Sequence, residues 1–135
     1  MTATYWAARA MGPRVIGEAL VATDGFSARY DLDRLKGIFS RPSHRLFGQS
    51  YVGKILILDR AKGGVASAWM FNEMVSSGLA PAALVMNRTN PVLAQGAALA
   101  GLALLDGFDQ HITALVESGA QVEVDPDHRT LKVLG

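Results

Sequence analysis

The run GKILILDRAKGGVASAWMFNEMVSS, Gly53 to Ser77, leaves this chain few ways to fold. It opens on an apolar segment, Lys54 to Leu58, turns at a basic glycine loop and passes into a helix. A strand without polar alternation is one covered on both faces, as in a parallel sheet. The helix carries Trp69, Met70, Phe71 and Met74, while Asn72, Glu73, Ser76 and Ser77 recur at helical spacing as one polar stripe. Gly78 suits the residue just past a helix end, and Pro81 stops any continuation. A second unit follows at once: Pro81 to Val85, then MNRTN, then PVLAQGAALA. Asn90 is a good N-cap and Pro91 fits the first helical position. The small residues Ala94, Gly96, Ala97, Ala98 and Gly101 let this second helix pack closely. Two such units in succession require a right-handed crossover between parallel strands. A third strand near Leu102 to Leu105 extends the set.

In such a sheet the loops after the strands open on the carboxyl edge, where ligands usually sit. Lys62, Gly63 and Gly64 are therefore expected to face the same space as Asn87, Arg88, Thr89 and Asn90. Glycines let backbone N–H groups approach an anion, and a helix start adds partial positive charge. Lys62 adds a full charge, and Arg88 offers a two-pronged fork for carboxylate or phosphate. The competing reading is a tight turn with its cations in water. Ser67, in the first turn of the helix, is a general base only if neighbouring cations lower its pKa. Otherwise it is a local hydrogen bonder. Neither a G-x-x-x-x-G-K-[ST] loop nor a G-x-G-x-x-G turn is present, which argues against nucleotide binding. His44, His111 and His128 have no metal-ligand spacing. Asp24, Asp31 and Asp33 crowd a turn, where aspartate is at home for backbone reasons.

A length of 135 residues implies one domain with a real core. Residues 1–13 read as a flexible arm ending at Gly12-Pro13, and residues 14–135 as the folded domain. Arg14 to Ala22 is β-like and turned by Thr23-Asp24-Gly25, with a second strand expected over Phe26 to Tyr30. Asp31 to Gly37 reads as a polar turn, Gly37 to Phe39 as a short strand, and Phe39 to Ser50 as a loop. The tail AQVEVDPDHRTLKV alternates as two strands around Asp125-Pro126-Asp127, a hairpin. The fold class is thus α/β: a β-rich N-terminal part, a parallel βαβαβ core and a C-terminal hairpin. Without cysteine the chain has no disulfide and no thiolate ligand for zinc or iron–sulfur. A net charge of +1 with no basic run gives nucleic-acid binding little support. The apolar run Val92 to Leu105 is too short for a bilayer and is interrupted by Gln95. The first residues lack a charged start followed by an apolar segment, so a cytoplasmic address is expected.

Four segments, in this order and spacing, resemble the aconitase X swivel domain over about residues 14 to 133. They are DGFSARYDLDRLKG, the H-x-L-x-G-x-S string of His44, Leu46, Gly48 and Ser50, GKILILDRAKGGVASAWMFNEM and APAALVMNRTNPVLAQGAALAG. That family is the small subunit, or small domain, of aconitase-superfamily dehydratases. The resemblance implies a swivelling β/β/α fold that closes over a larger catalytic subunit bearing an iron–sulfur or other metal site. It implies no metal in this chain, no activity of the chain alone, and a small anionic substrate for the hetero-oligomer. The activity implied is hydro-lyase, dehydrating a hydroxy acid such as cis-3-hydroxy-L-proline or mevalonate 5-phosphate. Substrate-binding residues would then be Lys62, Gly63, Gly64, Asn87 and Arg88, with Ser67 as catalytic base. Many members carry G-[RK]-G-S-x-x-G-S, whose first serine is taken as the base. Aligned on Trp69 and Glu73, that serine falls on Gly64 and the second on Ala68, one place from Ser67. Either Ser67 takes over, or a backbone N–H and water serve, or the chain is a non-catalytic binding or regulatory module on the same fold.

Overall fold

The computed structural model describes residues 3–62 and 65–134, leaving aside the side chains of Arg29 and of residues 65–68. In chain order the elements are β1 (Ala3–Met11), β2 (Val15–Val21), α1 (Ala28–Asp31), β3 (Leu32–Asp33), β4 (Ile38–Phe39), β5 (Ile55–Arg60), α2 (Val65–Ser77), β6 (Ala83–Arg88), α3 (Pro91–Leu99), β7 (Ala103–Phe108), α4 (Ile112–Leu115), β8 (Gln121–Asp125) and β9 (Thr130–Val133). Strands β5, β6 and β7 are parallel neighbours, pairing Ile57 with Val85 and Val85 with Leu105. The expected βαβαβ core is therefore present, and β8 and β9 form the expected antiparallel hairpin.

These parts do not stand apart. Seven strands close into one barrel in the order β1-β7-β6-β5-β2-β8-β9. Closure depends on two strands that change partner partway. The Ala3 to Trp6 half of β1 pairs with β9, while Ala7 to Met11 pairs with β7. Likewise Val15 to Glu18 of β2 pairs with β8, and Ala19 to Val21 runs parallel to β5.

The apolar runs are explained by a cover on each side. Leu56, Leu58, Leu84, Met86 and Leu104 face Phe71 and Met74 of α2 and Leu93 and Ala97 of α3. Ile55, Ile57, Ala83, Val85 and Leu105 pack in a second cluster with Val122, Val124 and Leu131 of the hairpin. Burying a single side chain of this size contributes about 1.5–3 kcal/mol. As the small residues foretold, Gly96 and Ala97 of α3 are buried, and the two long helices lie against each other. No helix among the described residues is long and apolar enough to cross a membrane.

Two expectations are corrected. The flexible arm is strand β1, which is held by backbone ladders on both sides. It carries little core signal, because Ala7 is its one fully buried residue. The turn that ends it needs glycine: Gly12 has φ +91°, and a Cβ there would lie 2.5 Å from the Leu102 carbonyl oxygen. The strand expected over Phe26 to Tyr30 is instead a single bridge, Phe26 to Ala61, followed by the helical turn α1. Asp31, buried, bends its carboxylate back to accept the Ser27 N–H at 2.8 Å and so closes that turn.

Candidate functional site

Strands β5 and β6 end together. Arg60 and Arg88 are direct cross-strand partners, and the Ala61 N–H donates to the Arg88 carbonyl at 3.1 Å. Like charges placed opposite each other on one face are unfavourable unless something answers them. Arg60 has Asp59 at 3.4 Å, a weak exposed contact. Arg88 is exposed and makes no ion pair among the described residues. Beside them opens a cleft of about 260 Å³ lined by Asp59, Arg60, Asn87, Arg88, Phe108, Asp109, Gln110 and His111. Asp109 and Arg88 are thus exposed opposite charges on one cleft, neither paired among the described residues.

Lys62 emerges from the same edge but takes a different seat. Its N–H donates to the Phe26 carbonyl at 2.7 Å, and its alkyl stem crosses Gly25 so closely that a Cβ on Gly25 would lie 2.4 Å from Lys62 Cε. It is exposed, and it is not among the residues lining the cleft. Lys62 and Arg88 thus share the carboxyl edge of adjacent strands, with Lys62 on the Gly25 side and Arg88 on the cleft. Gly63 and Gly64 lie outside the described residues. The backbone of Ser67 belongs to α2, and its side chain lies outside the described residues.

Asn87 is committed to the chain itself. Its Nδ2 donates to Asp59 Oδ1 at 3.0 Å and to Thr113 Oγ1 at 3.3 Å, while its Oδ1 accepts the Ile112 N–H at 2.6 Å. Both amide hydrogens are used, so Asn87 braces Asp59 and the start of α4 at the floor of the cleft.

Asp106 is the residue that sequence reasoning missed. It is buried at the end of β7, accepts Arg9 Nε at 2.7 Å, and through its other oxygen accepts the Thr89 N–H at 2.8 Å. A buried carboxylate persists only when paired and hydrogen-bonded. This one fixes the loop that follows Arg88. Its signal was present in GLALLDGF, Gly101 to Phe108, where a lone acid interrupts an apolar strand. At the far side of that loop, Asn90 caps α3 as expected, its Oδ1 accepting the Leu93 N–H at 2.8 Å.

Other candidates fall into structural roles. Glu73 pairs with Arg34 at 3.2 Å, and Trp69 is exposed. His128 contacts Asp125 at 2.8 Å in the hairpin turn. Among the described residues no group of three or more His, Asp or Glu side chains could hold a metal ion.

A family model described as the aconitase X swivel domain matches residues 5–133. The chain is 30% identical over 117 residues to the phosphomevalonate dehydratase small subunit of Methanocella arvoryzae, covering 87% of this chain and 89% of that one. It is 31% identical over 117 residues to the protein of the same name from Methanothrix thermoacetophila, covering 87% and 85%. The crystal structure of Thermococcus kodakaraensis aconitase X in its holo form superposes with a TM-score of 0.91 at 25% identity, over 98% of this chain and 99% of that one. With the family match spanning both strands that close the barrel and the whole carboxyl edge, this chain belongs to the aconitase X swivel domain family.

Proposed function

We propose that this chain is the small subunit of an aconitase X-type hydro-lyase, a cytoplasmic hetero-oligomer that eliminates water from a small hydroxy acid. Among the described residues no group of three or more His, Asp and Glu side chains could hold a metal ion, and the sequence has no cysteine. We assign the iron–sulfur cluster or other metal of such an enzyme to the large subunit, and no step here runs through it. In the elimination one C–H and one C–O bond break, a C=C bond forms, and the hydroxyl leaves as water. Ser67 takes the C–H proton as its alkoxide, which Lys62 and the helix start favour, and passes that proton to the departing hydroxide, so that water leaves and the alkoxide is restored. In this reading Arg88 reaches the substrate carboxylate from the cleft and the turn of Lys62, Gly63 and Gly64 reaches it from the Gly25 side of the same strand edge, while Asn87 keeps the cleft floor in shape. The observation that carries this reading is the Arg60–Arg88 register, two guanidiniums at one sheet edge of which Arg88 has no ion pair among the described residues. The relatives' names add weight to the reaction class.

The finer substrate is cis-3-hydroxy-L-proline. Asp109, exposed on the same cleft, supplies the negative partner that an amino acid's ammonium needs and a phosphorylated hydroxy acid lacks. Mevalonate 5-phosphate is the second reading, favoured by the named relatives and by the paired arginines. Co-expression with the large subunit and assay of water loss from both compounds decides between them. Arg88→Ala is expected to lower kcat/KM roughly ten- to a hundredfold, the worth of a hydrogen bond to a charged group, without unfolding the chain. Ser67→Ala is expected to cost about 10² or more in kcat. Full activity of Arg88→Ala removes Arg88 from the site. A loss below about tenfold for Ser67→Ala removes the proton-transfer role from Ser67 and leaves a backbone N–H and water as the better account, whereas no water loss from either compound by the reconstituted pair leaves the non-catalytic module.

A further inference from the structure

The loop between β4 and β5 reaches back to grip the turn on which Lys62 rests. His44 is buried and its ring stacks on Phe39 with centroids 4.7 Å apart. Its Nδ1 accepts the Leu46 N–H at 3.1 Å. That fixes the tautomer, leaving the proton on Nε2, which donates to the Gly25 carbonyl at 3.3 Å. Arg45 holds the preceding residue, its guanidinium 3.2 Å from Asp24 Oδ1 and its N–H donating to the other oxygen at 3.3 Å. The gripped segment in turn holds the end of β5 and beyond. Asp59 N–H donates to Asp24 O at 3.1 Å, Phe26 N–H to Arg60 O at 2.9 Å, and Lys62 N–H to Phe26 O at 2.7 Å. Only Gly25, lacking a side chain, lets the Lys62 stem lie where it does.

We infer that His44 is a positioning residue for Lys62, acting through the Gly25 carbonyl: the imidazole sets the height of the Gly25 backbone, and that backbone is the rail along which the lysine stem is laid. An Asn at position 44 keeps an acceptor near Nδ1 for the Leu46 N–H but falls short of Gly25. A Gln reaches to the Nε2 position and can donate there. The two variants therefore separate the turn-closing bond from the positioning bond.

The test is competitive acetylation of the full chain with limiting acetic anhydride, read by mass spectrometry as the ratio of Lys62 to exposed Lys36. His44→Asn is expected to raise that ratio roughly fivefold, the population shift worth one net hydrogen bond, and His44→Gln to restore most of it. An unchanged ratio in His44→Asn, a Gln variant as altered as Asn, or an equal rise at every lysine overturns the proposal. Should His44→Asn fail to fold, Gly25→Ala decides. It leaves the imidazole in place and displaces the stem, so the same selective rise is expected, and no rise overturns the assignment. In the reconstituted two-chain enzyme, the Asn variant is expected to lower kcat/KM severalfold, because a displaced Lys62 loses both the substrate carboxylate and the Ser67 oxygen. This kinetic arm rests on Lys62 binding substrate, whereas the acetylation arm stands whether or not the pair dehydrates anything.

Discussion

Tyr51 is wholly buried against Phe39, edge to face with centroids 6.1 Å apart, and its hydroxyl has no hydrogen-bond partner among the described residues. Burial pushes its pKa up, Arg34 opposes that and Asp33 reinforces it. A buried hydroxyl without a partner costs about 1–3 kcal/mol. Tyr51→Phe keeps the ring contacts and removes the orphan, so we expect a gain of about 1 kcal/mol and a Tm higher by a few degrees, read by thermal melting. A lower Tm would mean that the hydroxyl owns a water. At this scale the sequence was uneven as a guide. Lys62 and Arg88 announced themselves, because a cation after a buried strand has one edge to go to. The bond from His44 to Gly25 spans 19 positions and the one from Thr89 to Asp106 spans 17, and no local pattern encodes either.

The hairpin turn between β8 and β9 shows an element fastened by a titrating group. The Asp125 carboxyl is held below its ordinary range, first by the side-chain hydrogen bond from His128, against a smaller desolvation effect. A depressed carboxyl contributes stability above its unfolded pKa, and loses it as the pH falls through the lower folded value. We expect His128→Ala to return the Asp125 titration, followed by carbonyl chemical shift, toward that of an ordinary aspartate. The stability lost should be small and should vanish in acid. Elements with a strong period or a cap were legible from residues alone: β5, α2, β6, α3 and the hairpin. Those whose existence rests on distant hydrogen bonds were not. α1 depends on Asp31 reaching back to Ser27, and α4 is a single turn whose start hangs from Asn87. β1 is a strand by virtue of its neighbours rather than its pattern.

For the whole molecule, β1 is what turns a sheet into a barrel, since one half of it satisfies β9 and the other β7. Deleting residues 1–11 strips the backbone partners from both, so the shortened chain is expected to lose its cooperative unfolding transition, as followed by circular dichroism. A melt unchanged from the full chain would mean the barrel closes without it. The positions Trp6/Ala7 and Glu18/Ala19, where the two long strands change partner, also join the parallel half of the barrel to the hairpin half. Because that circle of ladders is complete, the barrel has among the described residues no open border at which another polypeptide could be added as an extra strand. A second subunit that this chain meets is then engaged outside the barrel ladders, at loops, helix surfaces or the separate two-stranded β3–β4 pair. Affinity between the two would then be tuned by surface substitutions and salt, with the backbone of the barrel left untouched.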